Sequence, residues 1–253
     1  MNYLKILQKH RNKVIYAGIL LFLALYVLIN QAFFGFLVFL GLLALILIDF
    51  TPKKGDWQTS VKETAIALGF ALGAWFLLSF LLNTSSPLNV VTSCSMLPNL
   101  YRGDMIILQG GDYTLPEINV NQPISEVKIM LNKTKCLIGS KESLCTTSLL
   151  IDGKTFDAKP SSNDVLVFEP TPKKYGLIIH RGMLKINALD GSFYLTKGDN
   201  NPVIDQESTF ELVKEKEVVG RVLFKIPLLG YVKLLLFMQF DIPPGCDRTI
   251  SYS

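Results

Sequence analysis

Residues 14–48 contain no charged side chain, and Asn30 and Gln31, near their middle, are their only strongly polar members. As one helix this run would extend about 50 Å at about 1.5 Å per residue, against a hydrocarbon core of about 30 Å. A hairpin of two short spans turning at Asn30 and Gln31 fits better, each at the short end of the usual length. Residues 64–82 form another uncharged run, long enough to cross once. Beyond position 83 the pattern changes to short β-type runs, at 90–92, 105–108, 127–131, 165–168, 177–179, 193–196 and 218–226. The pairs Asp152-Gly153 and Asp190-Gly191 fall between such runs and favour the left-handed backbone of tight hairpin turns. The pattern predicts an α+β chain: a membrane anchor of three helices over 1–83, then a mainly antiparallel β domain over 84–253. The polar, turn-rich stretch 109–160 reads as an insertion between strands. Residues 226–240 are apolar but interrupted by Lys233, which predicts a final strand or a surface resting on the bilayer rather than a fourth span.

The flanking charges orient these elements. Lys5, Lys9, Arg11 and Lys13 precede the first span, and Lys53, Lys54 and Lys62 lie between the second and third. The positive-inside rule sets both segments in the cytoplasm, so three crossings leave everything after position 83 outside. A cleavable signal peptide is disfavoured, because no small-x-small pattern follows the first run.

Composition adds little to this picture. Apolar residues make up 49% of the 253 positions, concentrated in the first third. The net charge of +4 says little about nucleic acid, because much of it flanks apolar runs. Four cysteines form no C-x-x-C pair and there are two histidines, so neither a metal site nor a cofactor is expected. Cys136 and Cys145 lie close in one polar segment; in an oxidising compartment they would pair, and otherwise they stand as two thiols. Asn132-Lys133-Thr134 matches a glycosylation acceptor, a pattern with many chance occurrences.

Three segments carry candidate chemistry. The first is Ser93-Cys94-Ser95-Met96-Leu97-Pro98-Asn99-Leu100, followed by Arg102-Gly103-Asp104. Serines before a proline are more often structural, and a hydroxyl is a poor nucleophile without an adjacent base. The second is Gly176-Leu177-Ile178-Ile179-His180-Arg181. A lone histidine after a strand is more often structural too, yet its imidazole suits proton transfer near neutral pH. The third is Leu195-Thr196-Lys197-Gly198-Asp199-Asn200-Asn201-Pro202-Val203-Ile204-Asp205. By itself it reads as a strand entering a turn, while an acid here could orient the histidine.

In order and spacing these segments resemble the type I signal peptidase family, and within it the archaeal and endoplasmic-reticulum branch. The last box of that branch resembles Val219-Gly220-Arg221, Pro227 and Gly230. The resemblance implies a β-rich catalytic core with an apolar face near the bilayer. It implies Ser95 as nucleophile and His180 as general base, where the bacterial branch has lysine. Asp205 would be the orienting acid, with Asp199 competing for that role. The Ser93 hydroxyl and the Ser95 N–H would form the oxyanion hole. Substrates would be secretory preproteins with small residues at the first and third positions before the cut. The lipid bilayer and the protein translocation machinery are the other implied partners. The expected location is a cell membrane, or the endoplasmic-reticulum membrane in a eukaryote, multi-pass, with the catalytic domain on the extracytoplasmic side. Two departures stand out: Cys94 replaces a common glycine, where it would crowd the substrate backbone, and Asn99 replaces a threonine or small residue. Two other readings are a narrow-specificity membrane protease of the same superfamily and an inactive membrane-bound binding subunit. The intact Ser95, His180 and Asp205 argue against the second.

Overall fold

The computed structural model describes residues 17–22, 25, 41, 57–159, 161–171, 173–208 and 211–252. Of the two spans expected within 14–48, only residues 17–22, 25 and 41, all helical, are among them; the rest lies outside the described residues. The chain divides into two compact units, Met1–Phe76 with Tyr231–Ile242, and Leu77–Gly230 with Pro243–Ser253.

In the first unit begins the long helix α1 (Trp57–Leu81), which runs on into the second. Its segment Thr64–Leu81 has a mean hydropathy of 2.0 and carries no charge. Its apolar side chains are exposed all round, with Phe70, Phe76 and Phe80 at 79%, 70% and 82%. A helix apolar on every side suits a lipid environment rather than one face of a soluble core. At about 1.5 Å per residue the segment spans ~27 Å, close to the thickness of a bilayer interior. Among the described residues it is the one helix long and apolar enough to cross a membrane.

In the second unit, strands β1 (Leu88–Val90) and β2 (Met105–Gln109) precede β3 (Glu117–Asn119), β4 (Ile129–Ile138), β5 (Lys141–Ile151) and β6 (Lys154–Asp157). Then come β7 (Val165–Phe168), β8 (Ile178–Ala188), β9 (Gly191–Lys197), the helical turn α2 (Asp205–Ser208), β10 (Val213–Lys214) and β11 (Val218–Ile226). The second segment of the first unit contributes the short helix α3 (Tyr231–Leu236), after which β12 (Ile250–Tyr252) ends the described chain. The large sheet runs β1-β2-β11-β7-β8-β9-β10, with β3 added parallel to β8; all its other pairings are antiparallel. The smaller antiparallel sheet runs β12-β4-β5-β6. The stretch 109–160, which reads as an insertion, thus supplies β3 and three of the four strands of the smaller sheet.

Side-chain alternation explains the layers. β2 alternates half-buried and buried positions, as a strand with one covered face does. β8 and β9 bury nearly every central position, because residues of both faces are covered. Leu149 and Ile151 of β5 pack with Ile118, Met183, Leu184, Ile186, Leu195 and Ile204, so the principal core joins the two sheets. Between β5 and β6, Asp152 and Gly153 both take positive φ, 47° and 73°, the backbone that a two-residue hairpin turn requires.

The apolar run after Ile226 forms α3, not a final strand. Pro227 and Gly230 interrupt the extended chain, and the Leu-rich sequence that follows favours helix over the β-branched pattern of strands. Within the first unit Leu235 packs with Tyr231, Phe240, Ile19 and Phe22. All four cysteines are paired: Cys136–Cys145 staples the β4–β5 hairpin, and Cys94–Cys246 joins the turn after β1 to the chain before β12. Of the two states open to Cys136 and Cys145, the structure has the disulfide.

Candidate active site

The turn after β1 carries Ser95. Met96 beside it is 1% exposed and lies in a core with Val91, Leu100, Ile106, Leu108 and Val167. Burying a methionine is worth ~1.5–3 kcal/mol, so this neighbour anchors the turn and leaves Ser95 half-buried at the surface. A second turn, just after β9, closes on the first. Asn200 N–H donates to the Ser95 carbonyl at 2.7 Å, and the Asn200 side-chain amide donates to the Cys94 carbonyl at 3.1 Å. A Cβ on Gly198 would stand 2.7 Å from the Ser95 carbonyl oxygen, so this approach needs a glycine.

His180 lies on β8 opposite Leu166 of β7 and is 7% exposed. Its Nε2 is 3.0 Å from Ser95 Oγ, and its Nδ1 is 2.6 Å from Asp205 Oδ2. Asp205 opens α2 and is 2% exposed. The same Oδ2 accepts a hydrogen bond from Thr196 Oγ1 at 2.7 Å. Gln206 ties α2 to β9 in both directions: it accepts from Thr196 N–H at 3.0 Å and donates to Thr196 Oγ1 at 3.3 Å. The carboxylate is therefore held by two elements. An ionised carboxylate can only accept, so the Nδ1 facing it carries the proton and Nε2 is left as an acceptor toward the serine hydroxyl. This line of three groups can remove a proton from Ser95 Oγ.

Ser93 Oγ lies 3.2 Å from Ser95 Oγ, and no acceptor among the described residues takes the Ser95 N–H. Asp199 stands apart from the histidine. Its two oxygens accept from Arg181 Nε at 2.8 Å and Nη2 at 2.7 Å, and Oδ2 accepts from Asn99 Nδ2 at 2.7 Å. The two acids proposed for one role thus have different partners: Asp205 faces the imidazole, Asp199 the guanidinium. The bidentate pair also fixes Arg181, whose Nη1 donates to the Asn163 carbonyl at 2.6 Å.

This ion pair lines a cavity of about 330 Å³, together with Asn99, Lys159, Lys197 and Tyr252 among others. Burial pushes the Lys197 ammonium down to about 8, against the attraction of Asp199 and Asp205, and Lys159 adds to the lowering. Lys197 Nζ donates to Tyr252 Oη at 3.1 Å. Among the described residues no group of three His, Cys, Asp or Glu could hold a metal ion.

Several structural partners escaped the reading of the sequence. Thr196, Asn200 and Arg181 all stood within the motif segments, but which atoms they bind depends on how strands pair. Cys246 carried a faint signal only, since four cysteines allow three connectivities. Cys94 is not a free thiol.

No protein-family model matches the chain. The chain is similar to the signal peptidase complex catalytic subunit SEC11 of Yarrowia lipolytica, 31% identical over 186 residues, which cover 71% of this chain and 81% of that protein. The catalytic subunit sec11 of Aspergillus oryzae is 30% identical over 182 residues, 70% of this chain and 78% of the relative. That of Clavispora lusitaniae is 28% identical over 183 residues, covering 70% and 82%. The chain belongs to the type I signal peptidase family. In this family member the last of the four boxes braces the large sheet. Arg221 donates to Asp164 Oδ2 at 3.1 Å and to Gln109 Oε1 at 3.0 Å, joining β11 to the chain before β7 and to β2.

Proposed function

We propose that this signal peptidase is a membrane-bound serine endopeptidase that removes N-terminal signal peptides from secretory preproteins. The observation that carries the reading is the line Ser95 Oγ–His180 Nε2–His180 Nδ1–Asp205 Oδ2, at 3.0 and 2.6 Å. Ser95 Oγ attacks the scissile carbonyl while His180 Nε2 takes its proton, and Asp205 orients the ring and stabilises the imidazolium. The oxyanion of the tetrahedral intermediate accepts from the Ser95 N–H and the Ser93 hydroxyl. As the intermediate collapses, His180 returns the proton to the leaving amine. The mature protein departs and the signal peptide stays esterified to Ser95. Water, deprotonated by the same Nε2, then releases it.

β1 is the edge strand of the large sheet and leads directly into the Ser95 turn, which suits an extended substrate pairing its backbone there. Small pockets beside it would select small residues at the first and third positions before the cut. The exposed apolar side chains Leu223, Phe224, Leu228 and Leu229 suit contact with the bilayer. The anchor comprises residues 1–83 with three crossings, and residues 84–253 form the extracytoplasmic peptidase domain, in the endoplasmic-reticulum membrane of a eukaryote or a cell membrane otherwise. Anchoring concentrates membrane-bound preproteins around Ser95.

The test is cleavage of several preproteins by the purified full chain in detergent micelles, with the product N-termini sequenced. Cuts after small residues at the end of the signal peptide support the reading, and full activity in Ser95→Ala refutes it. For the topology, protease added outside sealed vesicles of native orientation should reach the region of Asn132. Access from inside-out vesicles alone would contradict three crossings.

A further inference from the structure

The end of the described chain returns to the turn that carries Ser95. Cys246 is disulfide-bonded to Cys94, the residue immediately before Ser95, across a sequence separation of 152. Shortly after, Ile250 enters β12 and pairs with Ile138 of β4. Asn200 stands between these attachments. Its side-chain amide donates to the carbonyls of Cys94 at 3.1 Å, Gly245 at 3.3 Å and Arg248 at 2.9 Å. Its Oδ1 accepts from Ile250 N–H at 3.0 Å. Its own N–H donates to the Ser95 carbonyl at 2.7 Å. One residue thus bonds the carbonyls on either side of Ser95's Cα, that of Cys94 together with the Leu97 N–H at 3.3 Å, and the same side chain holds the segment that the disulfide ties to Cys94. Cys94 is 6% exposed, and the Asn200 amide reaches its carbonyl from the half-buried second turn. None of the Asn200 bonds reaches the side chains of His180 or Asp205, which are fixed from β8, β9 and α2 instead.

We propose that Asn200 and the Cys94–Cys246 disulfide are positioning elements for the nucleophile. The segment 245–250 acts as a strap that keeps Ser95 Oγ in reach of His180 Nε2. This rests on Ser95 being the nucleophile. The physical reason is that Ser95 sits in a turn, outside any strand ladder, so its two flanking peptide groups are free to rotate unless their carbonyls are bonded. Rotation there displaces Oγ directly, and a misplacement of about 1 Å costs roughly 10²-fold in rate. The second disulfide provides an internal contrast. Cys136–Cys145 staples the β4–β5 hairpin of the sheet that includes β12; the hairpin meets the second turn through Thr146 N–H, which donates to the Pro202 carbonyl at 2.8 Å, and not through Asn200 or Ser95.

The experiment compares the full-length protein with Asn200→Ala, Cys246→Ser and the double variant Cys136→Ser/Cys145→Ser, cleaving one model preprotein in micelles. Rates are expressed per folded molecule, from near-UV circular dichroism. Cys246→Ser should lower kcat about 10- to 100-fold, and Asn200→Ala, which keeps its N–H on the Ser95 carbonyl and loses only the side-chain bonds, about 10-fold, each with KM within about twofold. The pH at which kcat/KM is half-maximal should not move, because the His180–Asp205 contact is intact. Hydrogen exchange should quicken in a peptide covering 93–97 and stay unchanged in one covering 178–186. The double variant should keep kcat within about twofold of wild type. Unchanged kcat per folded molecule in the first two variants overturns the proposal. So does an equal fall in the double variant, or failure of both Asn200→Ala and Cys246→Ser to fold, since the strap would then be a folding staple. If the wild type cleaves no preprotein, the proposed function fails instead. The exchange measurement needs no activity and still decides whether the strap holds the turn.

Discussion

Replacing Asp205 by Asn, and separately Asp199 by Asn, asks which acid serves the histidine. Asp205 is 2% exposed, and a single oxygen accepts from both His180 Nδ1 and Thr196 Oγ1, at 2.6 and 2.7 Å. Asparagine keeps the volume but has one acceptor oxygen and an amide that donates. If the amide faces the ring, Nδ1 must accept, and the proton moves to Nε2, where it blocks transfer from Ser95. If the oxygen faces the ring, the imidazolium formed in the reaction still lacks its counter-charge. Either orientation removes an interaction that is stronger in the transition state than in the ground state. The expected fall in kcat is about 10³- to 10⁴-fold, or ~4–5.5 kcal/mol in the barrier.

Asp199→Asn acts elsewhere. The Asp199 and Arg181 side chains are 14% and 8% exposed, and breaking a mostly buried pair by neutralising one partner costs ~3–5 kcal/mol of stability. The surviving guanidinium stays partly satisfied by the Asn163 carbonyl, so the lower end of that range is expected. Activity per folded molecule should remain within about threefold of wild type. The assay is single-turnover cleavage of a radiolabelled preprotein, paired with urea unfolding of each variant. A larger loss of activity per folded molecule in Asp199→Asn than in Asp205→Asn would refute the assignment.

Thr196→Val keeps the shape of a fully buried residue but removes the hydroxyl that donates to Asp205. A charge-assisted bond of this kind is worth ~1.5–3 kcal/mol, so kcat should fall about 10- to 100-fold, and an unchanged pH–rate profile would contradict the role. His180→Lys should not restore cleavage, because a lysine base needs a desolvated pocket of its own, and near-normal rates would contradict this. Cys136→Ser/Cys145→Ser opens a loop of sequence separation 9 and should lower stability by ~2–3 kcal/mol in urea titration. Lys197 concerns stability against pH. Its ammonium titrates near 8 in the folded chain, below the ordinary lysine range, so between about pH 8 and 10 the unfolded chain binds more protons and wild-type stability rises with pH. Lys197→Met should therefore be more stable than wild type at pH 7, by up to ~3 kcal/mol, with the gap closing by pH 10; a constant gap in urea titration would refute this.

The Ser95, His180 and Asp205 segments were legible because each lies in a short stretch whose residue types match its chemistry and whose order resembles one family. Strand positions were equally legible where β-type runs were bounded by turns, as at Met105–Gln109 and Val165–Phe168. The segment after Ile226 was not, because a short apolar run carries no period of its own, and Pro227 and Gly230 turned it from strand to helix.

What the sequence by itself determined was local: a helix with a long uncharged run, the β-rich character of the rest, the hairpin at Asp152-Gly153, and the segments that hold Ser95, His180 and Asp205. Which acid faces the imidazole was a matter of tertiary structure. Asp199 and Asp205 lie six positions apart in one segment, and only the pairing of β8 with β9 directs Arg181 to the first and leaves His180 for the second. The cysteine pairing was decided the same way. Cys94 and Cys246 stand 152 positions apart, and nothing in either neighbourhood names the other. Contacts between residues distant in sequence depend on the energy of the whole packed core, and a local pattern does not contain it.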